Sequence, residues 1–354
     1  MIVSHYSNTF SELQELRGLS ARLGHNPLLV QASTGNVSVK LGDSLWIKAS
    51  GKRLIDAEAD DFLVCVNLRM ARRCFMDGVN IAGTAIASGS GEPSIETAMH
   101  AVLPERVVIH VHSVSTIAWA VRQDAQEQLR TRLRGMNWAW IPYTQSGIPL
   151  ARRIRAAVLS VPRTDVFVLG NHGLVVCGPD CRSAEELLAE VEARLAIAPR
   201  PAPQPNMPLL EHAAASGSKV LPARLRAHAL ATDETSCRIV CRGVLYPCQA
   251  MFLPEMVAHP RGQSCPADFI SLIPDVGLLC PNILTAAQEE ILAGLVEVAQ
   301  RLPATAPIRY LTQAEVSDLL AGPVYPNVPA RREKHSTAVS AISRPPDTSL
   351  QNGV

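Results

Sequence analysis

The stretch "VIHVHS" (residues 108–113) places His110 and His112 two positions apart in a run of apolar, mostly β-branched residues. Such a run predicts a buried strand, and side chains at positions i and i+2 leave a strand on the same face. Two buried imidazoles need polar partners, because an unsatisfied polar group in a core costs ~1–3 kcal/mol. A single metal ion would satisfy both rings, so the stretch predicts part of a metal site on a central strand.

A third histidine stands in "NHGLVVCG" (171–178), directly after the strand-like residues "TDVFVLG" (164–170). His172 falls where this strand ends, and Gly173 allows the backbone to turn sharply there. A ligand at this turn would complete a three-histidine set with an open position, which is typical of catalytic zinc sites. The alternative is that all three histidines have ordinary roles in the core, at the surface or in a turn.

The composition argues against several classes of partner. The chain has 33 Lys+Arg against 32 Asp+Glu, a formal charge of +1, which favours neither nucleic acid nor a membrane surface. It has no apolar run of ~20 residues, and its first residues lack the basic start and apolar segment of a secretory signal. Nine cysteines without a C-x-x-C pair are typical of a reducing cytoplasm. We therefore expect a cytoplasmic protein with a small-molecule substrate.

Local patterns predict the order of elements before and after a proline-rich segment. Upstream they indicate a helix over 9–23, a hairpin over 37–49, a helix beginning at Ser94 and a helix capped by Ser183, with Glu186 completing a capping box. Downstream they indicate strands in "CRIVCRGVLY" (237–246) and "DFISLIPDVGLLC" (268–280), then helices in "AAQEEILAGLVEVAQRL" (286–302) and "TQAEVSDLLAG" (312–322).

Five prolines in "PRPAPQPNMP" (199–208) exclude a helix interior or a central strand and predict an extended linker. The chain would then divide into a larger domain over 1–198 and a smaller α/β domain over 209–327. The polar, Pro/Ser-rich residues 328–354 predict a disordered tail.

Five motifs follow one another in a fixed order, and together they carry a family resemblance. They are "TGNVSVK" (34–40), "IKASGKRL" (47–54), "PSIETAMH" (93–100), "VVIHVHS" (107–113) and "LGNHGLVVCG" (169–178). In this order, over about 10–197, the chain resembles the class II aldolase/adducin family. That family includes fuculose- and rhamnulose-phosphate aldolases, ribulose-phosphate epimerases and non-catalytic adducin heads. The region after 205 is similar to the extra C-terminal module of some rhamnulose-aldolase-like members.

The resemblance implies an α/β fold: a three-layer α/β/α domain with a mainly antiparallel central sheet, which makes 1–198 the metal-dependent catalytic domain. It implies a divalent metal on His110, His112 and His172, with zinc expected and Fe²⁺, Mn²⁺ or Co²⁺ as alternatives. Glu96 takes the position of a fourth ligand at rest that becomes the proton-transferring base in turnover. The alternative for Glu96 is a carboxylate at a helix N-terminus, worth ~0.3–1 kcal/mol. His100 is interpreted as a core or supporting histidine.

The resemblance also implies an anion-binding site. Short glycine-containing turns can present backbone N–H groups to a phosphate, and the family positions for this are matched by Asn36, Ser50, Gly51 and Ser94. The alternative is that these are simply the turns that a sheet needs. The chain departs from the family pattern at two of these turns: many members have Ser at the position of Ile95, and many have Thr at the position of Lys48. The aldolases also use a tyrosine acid from a neighbouring subunit, for which Tyr143 is a candidate by residue type alone.

The implied function is that of a metal-dependent lyase in carbohydrate metabolism. It would cleave or form a C–C bond next to a carbonyl in a sugar-phosphate-like or oxo-acid substrate, through a metal-stabilised enediolate. The alternatives are a decarboxylase or epimerase on the same scaffold, an Fe(II)-dependent oxygenase and a non-catalytic adducin-like binding module. By the same resemblance we expect a homo-oligomer, with a tetramer first and a dimer second.

Overall fold

Strands that are buried on both faces build the centre of the main sheet of the computed structural model, which describes residues 2–79, 81, 86–89, 91–215, 219–260 and 267–322. Its eight strands are β1 (Asn36–Leu41), β2 (Ser44–Lys48), β3 (Leu63–Asn67), β4 (Ile86–Ser88), β5 (Val107–Val111), β6 (Trp138–Ile141), β7 (Val166–Leu169) and β8 (Gly173–Gly178). They lie in the order β4-β3-β2-β1-β5-β8-β7-β6, and only the β6–β7 pair is parallel. The predicted, mainly antiparallel sheet is confirmed.

Helices cover both faces of this sheet. They are α1 (Ile2–Gly24), α2 (Leu68–Asp77), α3 (Thr97–Val102), α4 (Val114–Ala120), α5 (Ala125–Arg132), α6 (Ile148–Ser160) and α7 (Cys181–Leu195). On β5, Val107, Ile109 and Val111 pack towards α1, α4, α5 and α7, whereas Val108 packs towards α2, α3 and α6. The three-layer α/β/α fold is therefore confirmed, and His110 shares the face of Val108, next to α3.

The rest of the chain packs against the outer side of α4. It contains the helices α8 (Met207–Ala215), α9 (Ala229–Thr232), α10 (Glu234–Arg242), α11 (Pro247–Phe252), α12 (Ala286–Arg301) and α13 (Gln313–Ala321), and the strands β9 (Met256–Ala258), β10 (Ile270–Ile273) and β11 (Gly277–Leu279). The three strands form a small sheet in the order β11-β10-β9. Val114, Ile117 and Val121 join one hydrophobic core with the C-terminal helices, while Trp119 turns towards the central sheet.

The segment 199–206 is extended, and its Arg200 N–H donates to the Gln300 carbonyl at the end of α12. The helix α8 begins at Met207, with Pro208 in the first turn, where proline is tolerated. The domain boundaries proposed from the sequence stay predictions. The predicted tail over 328–354 lies outside the described residues. No helix among the described residues is both long and apolar enough to cross a membrane.

Three local predictions were wrong, two of them because a capping group overrode the local pattern. The strand predicted over 237–246 is largely α10, because the Asp233 side chain accepts hydrogen bonds from the N–H groups of Thr235 and Ser236 and starts a helix. The helix α7 is capped by Asp180 instead of Ser183, and Glu186 pairs with Arg182.

The third difference concerns α3, which was predicted to begin at Ser94. It begins at Thr97, because 94–96 form a turn in which the Ser94 carbonyl accepts from the Thr97 N–H. Glu96 is therefore the residue before the helix, and its side chain is free to point into the protein interior instead of along the helix surface.

Candidate metal centre

Strand register brings the three histidines together. His110 lies on β5, His112 follows the end of that strand, and His172 lies in the β7–β8 turn. Because β8 pairs with β5 so that Leu174 is opposite Val111, the turn before β8 lies beside the end of β5. One potential ligand atom from each histidine lies within 4.8 Å of the others, and all three are buried.

The glycine after His172 permits this approach. A Cβ on Gly173 would lie 2.5 Å from the Val111 carbonyl oxygen, which is closer than non-bonded atoms come. Before it, Asn171 takes a left-handed backbone conformation with φ of 52°. The "NHG" motif is therefore a turn whose backbone carries its histidine against the end of the neighbouring strand.

The donor set suits a divalent ion. Nδ1 of His110 lies 3.0 Å from the Leu174 carbonyl oxygen, which can only accept, so Nδ1 is the donor of this contact and Nε2 is the ring nitrogen that faces His112. Nε2 of His112 lies 3.1 Å from Nε2 of His110. Burial, helped by the neighbouring histidines, lowers the pKa of His112 well below its ordinary value, and burial lowers the pKa of His172 to about 4. Neutral imidazoles with converging nitrogens are what zinc and similar metals bind.

Glu96 completes the cluster. Its Oε2 lies 3.3 Å from Nε2 of His110, and its Oε1 lies 3.6 Å from Nε2 of His172. Asn36 donates a hydrogen bond to Oε2 at 2.9 Å, and Ser146 donates one to Oε1 at 3.0 Å. Burial raises the pKa of Glu96, but His110, His172 and the Asn36 hydrogen bond outweigh it and hold the pKa well below its usual range. The carboxylate is thus ionised and oriented from both sides.

A buried histidine orients Asn36 in turn. Nε2 of His100 lies 2.5 Å from Oδ1 of Asn36, and Nδ1 of His100 lies 2.7 Å from the Ser38 hydroxyl. Donation from His100 fixes the amide so that its NH₂ group points at Glu96. His100 therefore supports the site through Asn36 and is not one of the three clustered histidines.

A family model for the class II aldolase and adducin N-terminal domain matches residues 14–198, just over half of the chain. The chain belongs to the class II aldolase and adducin family. It is also similar to the uncharacterized oxidoreductase YuxG of Bacillus subtilis, with 28% identity over 182 residues. That match covers 47% of this chain and only 26% of the relative, so the chain spans about a quarter of the curated protein.

Two of the solved structures similar to this family member come from Thermoplasma acidophilum and Thermotoga maritima. The N-terminal class II aldolase domain of a conserved protein from Thermoplasma acidophilum has 23% identity and a TM-score of 0.45, covering 52% of this chain and 92% of that one. A sugar-phosphate aldolase from Thermotoga maritima has 15% identity and a TM-score of 0.43. The similarity covers 53% of this chain and 93% of the aldolase. The family assignment rests on the family match and not on these similarities.

In this class II aldolase family member, a pocket opens beside Glu96. The four residues predicted to bind an anion, Asn36, Ser50, Gly51 and Ser94, all line it, together with Glu96, His112 and His172. A second part of the lining is mostly apolar and comes from the C-terminal part of the chain. It consists of Pro247, Cys248, Met251 and Phe252 from α11 and Leu319 from α13.

Lys48 lies under the polar wall and does not point to solvent. It is 2% exposed, and its Nζ donates to the carbonyls of Ser33 at 3.1 Å and Lys52 at 2.5 Å, so it ties together the two loops that carry Asn36, Ser50 and Gly51. Burial lowers the pKa of Lys48 to about 7, against a smaller opposing effect from Glu96.

Two residues of the site, Ser146 and Cys248, were not predicted from the sequence, and one predicted candidate, Tyr143, lies elsewhere. Ser146 and Cys248 contact Glu96 and His112, but no local pattern marks them, because they are distant in sequence. Tyr143 does not line the pocket. Its ring lies under the Arg309 guanidinium, 5.1 Å away, and burial raises the pKa of Tyr143 to about 12. Among the described residues, no tyrosine lines this pocket.

Proposed function

We propose that this family member is a metal-dependent lyase that cleaves or forms a C–C bond next to a carbonyl in a sugar-phosphate-like or oxo-acid substrate. The observation that carries the proposal is the convergence of three buried imidazoles and one buried carboxylate beside a pocket. A purely structural module would gain nothing from such a cluster, since burying charged and polar groups costs free energy. This favours an enzyme over an adducin-like binding module.

His110, His112 and His172 would hold the metal. When bound there, a divalent ion supplies Lewis acidity, which polarises a substrate carbonyl and stabilises the charge of an enediolate. Glu96 moves the proton: in the synthetic direction it takes one from the carbon next to the carbonyl, and in the cleavage direction it returns one to the enediolate. Asn36 and Ser146 orient its two oxygens, and the polar wall binds the anionic end of the substrate.

The experiment that tests this function joins metal analysis to a substrate screen. Purified protein should contain about one divalent ion per chain. Protein reconstituted separately with Zn²⁺, Fe²⁺, Mn²⁺ and Co²⁺ is then offered phosphorylated and free ketoses and oxo acids. Aldehyde release supports the lyase, whereas CO₂ release, epimer formation or O₂ consumption would assign the decarboxylase, epimerase or oxygenase. A protein that takes up no metal and converts nothing would contradict the proposal.

Replacing Lys48 should weaken anion binding. We expect Lys48→Met to raise the KM for a phosphorylated substrate, or the Kd for inorganic phosphate, by about 10- to 100-fold, since a hydrogen bond to a charged group is worth ~1.5–3 kcal/mol. Because burial lowers the pKa of Lys48 to about 7, the difference in affinity between wild type and variant should shrink as the pH rises above that value.

Lys40→Met is the matched control. Lys40 is also buried on this sheet, with a pKa lowered to about 8, mainly by burial, but it donates to the Glu105 carbonyl and does not line the pocket. Equal phosphate affinities in the two variants would show that Lys48 has no part in anion binding.

We also propose a homo-oligomer, with a tetramer ahead of a dimer, as closed symmetric assemblies are the norm. The absence of a tyrosine among the described pocket residues supports a contribution from a neighbouring subunit. Light scattering at micromolar concentration should give the mass of a tetramer or dimer. A monomer that turns over substrate would contradict the shared site.

A reducing, cytoplasmic location is part of the proposal. None of the eight cysteines that the structure describes forms a disulfide, and seven of them are buried. Buried free cysteines behave as small apolar residues and are typical of compartments in which disulfides do not form.

A further inference from the structure

The helix α11 lies outside the region that matches the family, yet it contacts the metal centre. Sγ of Cys248 lies 3.3 Å from Nδ1 of His112, and both residues are buried, 5% and 6% exposed. The other ring nitrogen of His112, Nε2, is the one that lies 3.1 Å from His110. The sulfur is therefore on the far side of the ring, behind His112 and not among the three clustered ligand atoms.

We propose that Cys248 is a positioning residue for His112. Its sulfur accepts a hydrogen bond from the Nδ1–H group, which keeps the proton on Nδ1 and the lone pair on Nε2, pointing at the other two histidines. His110 is held in the same manner by the Leu174 carbonyl. For His112, Cys248 is the partner that the described residues supply to Nδ1. Such outer partners fix the ring orientation and tautomer of metal-binding histidines.

The surroundings of α11 allow it to hold this position. The Gln249 side chain accepts from the Leu245 N–H at 2.8 Å, and the Gln288 side chain of α12 donates to the Phe252 carbonyl at 2.9 Å. The Leu245 carbonyl in turn accepts from the Asn171 side chain at 2.8 Å. Asn171 directly precedes His172, so the segment 245–252 is hydrogen-bonded to the turn that carries His172. Through Cys248, the same segment also contacts the ring of His112.

The inference rests on the proposed metal centre but not on the proposed reaction, so its test uses the metal alone. Zn²⁺ and Co²⁺ affinities of the full chain are measured by competition with a chelator of known affinity. Cys248→Ala should bind either metal about 10- to 100-fold more weakly, the usual effect of losing an outer partner. Cys248→Ser should recover most of the affinity, since a hydroxyl oxygen also accepts from Nδ1–H.

Cys280→Ala is the control, because Cys280 is a fully buried thiol of the same C-terminal core without contact to the histidines. It should bind metal like the wild type. If Cys248→Ala binds metal as tightly as Cys280→Ala, the positioning role is wrong. If Cys248→Ser unfolds at the wild-type temperature yet binds as weakly as Cys248→Ala, the hydrogen bond is not the cause and the inference also fails. Either result is obtained without turnover, so a failure of the lyase proposal stays distinguishable.

Discussion

Glu96→Gln is expected to keep the fold and to lose about 10²–10⁴-fold of the turnover rate, the usual contribution of a positioned acid–base group. The amide has the shape of the carboxylate. Its oxygen can still accept from Asn36, and its NH₂ group can donate to the Ser146 hydroxyl, so the neighbouring hydrogen bonds survive. What is lost is the ability to take and return a proton. The measurement is kcat on the substrate found in the screen, for wild type and variant at equal metal content.

Glu92→Gln is the matched control for this change. Glu92 lies four residues earlier, its side chain is exposed, and it does not line the pocket. It should turn over substrate at the wild-type rate. A Glu96→Gln protein that does the same would remove Glu96 from the mechanism and leave it only a structural role beside the histidines.

His172→Ala should reduce metal affinity by more than the 10- to 100-fold that follows the loss of an outer partner. The reason is that one of three converging nitrogens disappears, while the turn that carries it retains Asn171 and Gly173. Turnover should fall with bound metal, and a chelator should likewise remove wild-type activity, which added Zn²⁺ restores. Metal per chain and the Kd from competition are the quantities to measure.

His228→Ala controls for the removal of a buried imidazole. His228 is 1% exposed and accepts from the Leu278 N–H, remote from the cluster. Its replacement should leave metal affinity unchanged even if it lowers stability. A His172→Ala protein that still binds one ion per chain with wild-type affinity would show that the three histidines are not a metal site.

Short-range patterns were enough to predict most of the central fold. Alternation in 37–49 and the apolar, β-branched run in 107–113 predict strands, and β1, β2 and β5 lie in these stretches. Local patterns failed where the residues of a segment suit either a strand or a helix. The run "CRIVCR" is β-branched enough for a strand, but a capping aspartate makes it the helix α10. Periodicity reports only the side-chain types of a few neighbouring residues. The start of a helix depends on which group accepts hydrogen bonds from its first backbone N–H groups.

The sequence by itself determined the histidine pair at the end of β5 and the third histidine at a turn, through local spacing. It also determined the family and, through the resemblance, the layered α/β/α architecture, because five motifs occur in the order typical of that family. Only the tertiary structure decided that Lys48 is buried under the anion loops, that Ser146 orients Glu96 and that Cys248 contacts His112. Ser146 reaches Glu96 across 50 positions and Cys248 reaches His112 across 136. Such contacts depend on how whole layers pack, and a single sequence contains no local signal for the partner that packing brings near.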